Sequence, residues 1–319
     1  MSFSIPKETY SGKIPEINFG KERKAFFGGE SALPFHFFEG EFPHKPLIAF
    51  EIEDAVPDDY PDELAKLYSS VWDDPVRWAK YCESLGAEAI ALRLMSTHPD
   101  SKDSKPEEAA DVVKKVLSQI DLPLIILGSN HTEKDAEVLP VVADASRDYN
   151  CIIGKAQEGN YKTVAAAAIA GRHSLIAMSE LDVNLAKQLN ILITQIGFPR
   201  ERIIIDPMCS ALGYGFEYTY SVMERIKIAG LIQADQMLSV PMVADVGFYV
   251  WKTKEVQATE QEIPEWGSRY ERAIMWETVT ACSFLLSGAE LLIMRHPEAI
   301  KITKKFIEDI YGTYRNRNI

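Results

Sequence analysis

The feature that most constrains this chain is an eightfold recurrence. From Pro46 onward, a short apolar run, a polar loop and an amphipathic stretch follow one another repeatedly. The runs are Leu47–Glu51, Ala89–Met95, Leu124–Gly128, Cys151–Gly154, Leu175–Met178, Ile203–Ile205, Met242–Ala244 and Leu291–Met294. Most are rich in Ile, Val and Leu without strict alternation, the signature of parallel strands covered on both faces. Helical stretches fill the gaps: Asp74–Leu85, Lys105–Ile120, Thr132–Val142, Asn160–Ala170, Asp182–Ile196, Tyr218–Ile232, Ser268–Leu286 and Pro297–Tyr311. The first opens on Asp-Pro and stops before Gly86, a start and a stop signal. Eight strand-then-helix units predict an α/β chain folded as a single (β/α)8 TIM barrel over residues 46–319, preceded by an N-terminal extension over 1–45. An open doubly wound sheet is the alternative. It usually needs fewer strands, and no Gly-x-Gly-x-x-Gly follows the first run.

Composition narrows the function classes. The chain has 319 residues, 46% hydrophobic and 25% charged, with a formal net charge of -13. That charge argues against nucleic acid or an anionic membrane surface as the main partner. The opening MSFSIPKETYSGKIPE lacks the pattern of a signal peptide, and no apolar run reaches membrane-span length. Cys82, Cys151, Cys209 and Cys282 lie far apart without a C-x-x-C. They read as reduced, buried thiols of a cytoplasmic protein, and a cluster or zinc site held by this chain alone is not expected. The extension carries Phe26, Phe27, Phe35, Phe37, Phe38 and Phe42. They suit packing across the barrel's underside or a subunit contact. Residues 246–267 form a long aromatic loop after the seventh run, a candidate lid or docking surface.

Barrel chemistry sits where strands end. Those ends offer Glu53 and Asp54, Ser96 and Thr97, Ser129 and Asn130, Lys155 and Gln157, Ser179 and Glu180, Asp206, Asp245, and Arg295 with His296. Asp206 suits a ligand or the capping of its own turn. Asn130 suits a ligand edge or the N-cap of the following helix. A desolvated Lys155 would suit Schiff-base chemistry, though a lone lysine is weak support. Glu53 and Asp54 are adjacent, so their side chains point apart, and a solvated turn is expected there rather than an acid–base pair. Arg295 and His296 are expected to support their loop. The stretch Met208–Ser221 is the most unusual, joining small residues, Gly213 and Gly215, and Tyr214, Tyr218 and Tyr220. It suits either close approach of backbone to a large flat ligand or a tight loop whose aromatics staple the next helix. The candidate binding residues are Asn130, Asp206, Met208, Ala211, Leu212, Gly213, Tyr214 and Gly215; no catalytic residue or metal ligand is expected. The chain contains no Asp-x-His-x-x-Gly, P-loop, His-Glu-x-x-His or Gly-x-Ser-x-Gly.

Three segments carry a resemblance: GGESALPFHFFEG at 28–40, IAFEIED at 48–54 and DPMCSALGYGFEYTYSVMER at 206–225. They resemble the small subunit of the corrinoid iron–sulfur protein, whose archaeal relative is the delta subunit of the acetyl-CoA decarbonylase/synthase complex. The likeness covers nearly the whole chain. It implies a barrel related to pterin-binding methyltransferases, paired with a large subunit that carries a 4Fe–4S cluster and a corrinoid-binding domain. It further implies that a corrinoid, shared with that large subunit, lies against the C-terminal face of this barrel. In that family a methyltetrahydrofolate:corrinoid methyltransferase supplies a methyl group, which passes to acetyl-CoA synthase. The missing cluster cysteines and histidine-ligand motif agree with an accessory role. The alternatives are a pterin-dependent methyltransferase using Asn130 and Asp206, an assembly scaffold without cofactor contact and, more distantly, a Schiff-base aldolase.

Overall fold

The computed structural model describes residues 6–315; Met1–Ile5, read above as carrying no leader, lie outside them. The chain begins with an antiparallel hairpin of β1 (Glu16–Phe19) and β2 (Ala25–Gly28). Eight parallel strands follow: β3 (Leu47–Glu53), β4 (Ala89–Arg93), β5 (Leu124–Leu127), β6 (Ile152–Ala156), β7 (Ser174–Met178), β8 (Ile203–Asp206), β9 (Val243–Asp245) and β10 (Leu291–Met294). Their order is β8-β7-β6-β5-β4-β3-β10-β9. The ring closes where Ile205 bridges Met242 and the Ile205 N–H donates to the Pro241 carbonyl at 2.8 Å. This is the TIM barrel that the eightfold recurrence predicts.

The helices are α1 (Asp62–Tyr68), α2 (Pro75–Ser84), α3 (Pro106–Leu117), α4 (Thr132–Ala145), α5 (Tyr161–Gly171), α6 (Val183–Gln195), α7 (Phe216–Leu231), α8 (Val246–Val250), α9 (Lys254–Gln257), α10 (Arg269–Ser287) and α11 (Pro297–Arg315). Local chemistry sets several starts. Asp74 accepts from the N–H groups of Val76 (2.8 Å) and Arg77 (3.3 Å) ahead of α2. Asp182 does the same for Asn184 (2.7 Å) and Leu185 (3.1 Å) ahead of α6. Helix α10 stops at Gly288, whose φ of 112° is cheap only for glycine.

Each strand sorts its side chains with period two. On β3, Ile48, Phe50 and Ile52 face outward into the core shared with the helices, whereas Leu47 and Ala49 face inward. The inner layer continues with Ala89, Ala91, Ile125, Leu127, Ile152, Ile176, Ile204, Val243, Leu291 and Ile293. The hairpin closes this layer from below with Ile17, Phe19, Ala25 and Phe27, all buried. The barrel is therefore plugged at its N-terminal end by apolar side chains. Beyond the hairpin, Phe35 and Phe37 pack on Tyr311 of α11, with Phe37 and Tyr311 ring centroids 4.8 Å apart, and Phe42 packs on Phe37.

Candidate functional site

The same period two places charge at the opposite end. One step beyond the apolar layer, the inward positions are Glu51 and Glu53 on β3, Arg93 on β4, Asp206 on β8, Asp245 on β9 and Arg295 just after β10. Lys155 joins them from β6, where the register with β7 shifts between Ile153 and Ala156. All are buried. Arg93 Nε donates to Glu51 Oε1 (2.5 Å) and its Nη2 to Asp245 Oδ2 (2.7 Å). Lys155 Nζ lies 2.7 Å from Asp245 Oδ2 and 2.8 Å from Asp206 Oδ2. Arg295 Nε reaches Glu51 Oε2 at 2.9 Å, and its Nη2 reaches Glu53 Oε1 at 3.0 Å. One continuous ionic layer thus floors the mouth of the barrel.

Each charge state follows from its neighbours. Burial alone would raise the Asp245 carboxyl, but Arg93 and Lys155 outweigh it and hold it well below the usual range. Burial would also lower Lys155, but Asp206 and Asp245 reverse that and hold its ammonium well above the ordinary value. Glu53 is the exception. Burial pushes it up to about 7, and Arg295 offsets this only in part. With Glu53 protonated, Glu51, Asp206 and Asp245 face Arg93, Lys155 and Arg295, three carboxylates against three cations.

A short cap covers this floor. Asp245 occupies the N-cap position of α8, which lays Phe248 over the guanidinium groups of Arg93 (4.3 Å to the ring centroid) and Arg295 (5.9 Å). Tyr60, just before α1, faces Arg295 at 4.7 Å, and Tyr249 faces Lys155 at 5.8 Å. Gly247 is required here: a Cβ would meet Arg295 Cγ at 2.7 Å and Glu51 Oε2 at 3.2 Å. Trp251 is buried and stacks on His296, with centroids 5.8 Å apart. Beneath the cap, Arg93 Nη1, Arg295 Nη1, Asp245 Oδ1 and the Tyr60 hydroxyl are buried without a hydrogen-bond partner among the described residues.

The predicted site residues divide between floor and rim. Asp206 belongs to the floor. Its Oδ1 accepts the Met208 N–H at 2.8 Å, and its Oδ2 lies 2.8 Å from Lys155 Nζ as an ion pair, without a hydrogen-bond partner among the described residues. Ala211 is buried, Met208, Leu212 and Gly215 are half-buried, and Gly213 and Tyr214 form the exposed tip. The tip is held from several sides. The Tyr214 hydroxyl accepts the Lys254 N–H at 2.8 Å, Trp276 Nε1 donates to the Leu212 carbonyl at 3.2 Å, and Thr219 Oγ1 accepts from Ser210 N at 3.0 Å. Phe216 packs on Phe284 at 5.1 Å, stapling α7 to α10. Both readings of this stretch therefore have a physical basis: its base is a staple, and its tip faces outward at the rim. Asn130 also lies on the rim, half-buried at φ 67°, but after β5, separated from the β8 loop by β6 and β7.

Three expectations are corrected. Asn130 does not cap α4; His131 does, its Nδ1 accepting the Lys134 N–H at 3.3 Å, while the Asn130 N–H donates to Asp135. Glu53 is not in a solvated turn, because its partner by period two is Glu51 rather than Asp54, and both enter the barrel. Asp54 turns the other way and binds Ser96 through N–H (2.7 Å) and hydroxyl (2.5 Å). Lys155 does not have the environment of a Schiff-base amine: two carboxylates keep it an ammonium. Arg93 was absent from the strand-end residues, since the second run, which forms β4, was read on to Met95. Its signal was the inward series Ala89, Ala91, Arg93.

Among the described residues no three His, Cys, Asp or Glu side chains are grouped to hold a metal ion, and no helix is long and apolar enough to cross a membrane. Residues 16–311 match the family model described as CO dehydrogenase/acetyl-CoA synthase delta subunit. Among similar proteins, the acetyl-CoA decarbonylase/synthase complex subunit delta of Methanocaldococcus jannaschii is 33% identical, over 96% of this chain and 76% of that protein. The subunit of the same name from Methanosarcina mazei is 35% identical, over 91% of this chain and 67% of that protein. Among solved structures, 7,8-dihydropteroate synthase from Vibrio fischeri superposes with a TM-score of 0.59 at 12% identity, over 95% of this chain and 100% of that one, a likeness of fold alone. With the match running from the hairpin to α11 and identities of about a third, this chain belongs to the CO dehydrogenase/acetyl-CoA synthase delta subunit family.

Proposed function

We propose that this chain is the small subunit of a heterodimeric methyl carrier in the reductive acetyl-CoA pathway, and that the mouth of its barrel covers a corrinoid brought by a larger cytoplasmic partner. The observation that carries this reading is the charge-balanced mouth. Its acids and bases neutralise one another beneath an aromatic cap, leaving a rim that can be laid against a ligand rather than a reactive pocket that surrounds one. The rim suits a flat macrocycle. Gly213 has open space on its Cβ side, so a ring can approach the backbone, and Tyr214 beside it is half exposed. Met208 and Leu212 offer apolar contact nearby. The corrinoid would supply the methyl-transfer chemistry itself. The rim residues would bind its periphery and exclude water, and the partner would lift the ring away to meet the methyltransferase and acetyl-CoA synthase. The 4Fe–4S cluster belongs to that partner.

Co-expression with the large subunit tests this. Visible spectroscopy should find the corrinoid retained by the pair and released at least several-fold faster from the large subunit alone. Tyr214→Ala in the pair should speed release without unfolding it. Equal retention with and without this chain would overturn the cap role in favour of a scaffold. A pterin-dependent methyltransferase is disfavoured by Asp206, which is wholly buried in the floor and ion-paired with Lys155. Titration of the isolated chain with methyltetrahydrofolate should find no micromolar binding.

A further inference from the structure

Beside the ionic floor a cavity of about 190 Å³ opens at the mouth, between the loop after β3, the loop after β4 and the cap. Val56, Met95 and Phe248 give it apolar walls, Asp59 and Lys252 lie at its side, and Glu53 lines it from within the barrel. Glu53 is only 5% exposed. Its Oε1 is held by Arg295 at 3.0 Å, and its Oε2 has no hydrogen-bond partner among the described residues. This orients a carboxyl group and leaves one oxygen free toward the cavity.

The electrostatics exclude simple ions. An anion would meet Asp59, with Asp58 and Asp100 also lining the cavity. A cation would meet Lys252, whose Nζ lies 3.6 Å from both Asp59 Oδ2 and the Phe248 ring centroid, with Arg295 behind Glu53. A neutral group with an acceptor at one end and donors at the other satisfies both sides. We infer that this cavity is a subsite for a primary carboxamide on a short aliphatic stem, its carbonyl accepting a hydrogen bond from the Glu53 carboxyl and its N–H groups donating to Asp59. The stem would lie against Val56, Met95 and Phe248. The inference deepens the proposed function and rests on it for its natural ligand, since the edge of a corrin ring carries amide arms of this kind.

The donor role needs Glu53 to hold its proton, and burial, which pushes it up to about 7, supplies that. The groups that face it are Arg295 after β10, Arg93 on β4, Glu51 on its own strand and Asp59 in the following loop. His98, Asp58, Asp100 and Lys252 share the cavity, and Tyr60 lies over Arg295. The Glu53→Gln variant separates the Glu53 contribution from theirs.

The test uses the full chain with ¹³C-methyl methionine and propionamide as the probe. Met95 lines the cavity, and its methyl resonance is identified through Met95→Leu. At pH 6 propionamide should shift that resonance saturably, and at pH 8.5 its affinity should fall about tenfold or more as Glu53 ionises. Glu53→Gln, which keeps a neutral donor, should bind at both pH values within twofold. Propionate and propylammonium should give no saturable shift. No saturable response to propionamide in the folded wild type, equal affinity at the two pH values, or preference for propylammonium would each overturn the subsite. If Glu53→Gln does not fold, the wild-type pH profile and the three-probe comparison decide. A corrinoid found wholly on the large subunit would remove the cap role yet leave the Met95 response in place, so the two failures are distinguishable.

Discussion

Replacing Asp245 with asparagine removes one carboxylate from between two buried cations. Asp245 Oδ2 lies 2.7 Å from Arg93 Nη2 and 2.7 Å from Lys155 Nζ, and Asp245 and Arg93 are wholly excluded from solvent. Asparagine fits the same space and can offer one carbonyl oxygen, so packing changes little. The charge does change. Arg93 keeps Glu51 and Lys155 keeps Asp206, but three cations then face two carboxylates in a layer buried from bulk solvent. Breaking a buried pair by removing one partner costs ~3–5 kcal/mol, and retained partners on both cations place this case toward the lower end, about 3 kcal/mol. Part of the loss can be recovered by Glu53, whose carboxyl can ionise to restore three carboxylates. The variant should therefore be less destabilised at pH 8.5 than at pH 6. Urea unfolding at both pH values measures this, read as a lowered midpoint at unchanged slope. A loss below about 1 kcal/mol at pH 6, or a larger loss at pH 8.5, would refute the charge-balance account of the barrel floor.

A second carboxyl group gives the opposite experiment. Glu30 is buried beside Glu290 and Lys227, and burial followed by the Glu290 charge pushes it up to about 8 from 4.5. The folded state thus keeps a proton that the unfolded chain releases above its ordinary value. Stability is full below about 4.5, falls as pH rises to about 8, and is flat beyond. At ~1.4 kcal/mol per pH unit this amounts to a few kcal/mol. Glu30→Gln should raise the urea midpoint at pH 8.5 and leave it unchanged near pH 4. Phe27→Ala, which empties part of the plug beneath the barrel, should cost ~3–5 kcal/mol by the same assay, because Phe27 is fully buried. Borohydride treatment with an aldehyde should give no stable adduct at Lys155 in the folded chain at neutral pH, as peptide mass mapping would show.

The barrel was legible in the sequence because each parallel strand is covered on both faces, so its apolar run stands out without needing alternation. Leu291–Met294 matches the observed β10 residue for residue. The hairpin was not legible. Its strands have four residues each, and Phe27 in one of them looked like a member of a general aromatic segment. Helix α1 lacked a side-chain cap to mark its start after Pro61. The ionic floor lay between these cases. Residue types at strand ends were visible, but treating each end alone paired Glu53 with its neighbour Asp54. Following period two through the end of each run would have aligned Leu47, Ala49, Glu51 and Glu53 with Ala89, Ala91 and Arg93, and with Leu291, Ile293 and Arg295. The interleaving of these charges across the barrel depends on strand order, which no single run encodes.

That interleaving also bears on what the mouth of this barrel can admit. A pterin-type pocket in a barrel mouth needs a carboxylate free to accept from a ligand. Here Asp206 is held by a lysine from β6 and by its own loop, and Phe248 occupies the space above the neighbouring guanidinium groups. Opening such a mouth would require lifting α8 and exposing Arg93 and Arg295, whose Nη1 groups are already without partners. The cap is therefore held by cation–π contacts and by Gly247 packed on Arg295, not by hydrogen bonds to those atoms. Glu53, which burial pushes up to about 7, lines an open cavity beside this floor. The remaining floor charges, Glu51, Arg93, Lys155, Asp206, Asp245 and Arg295, are committed to one another.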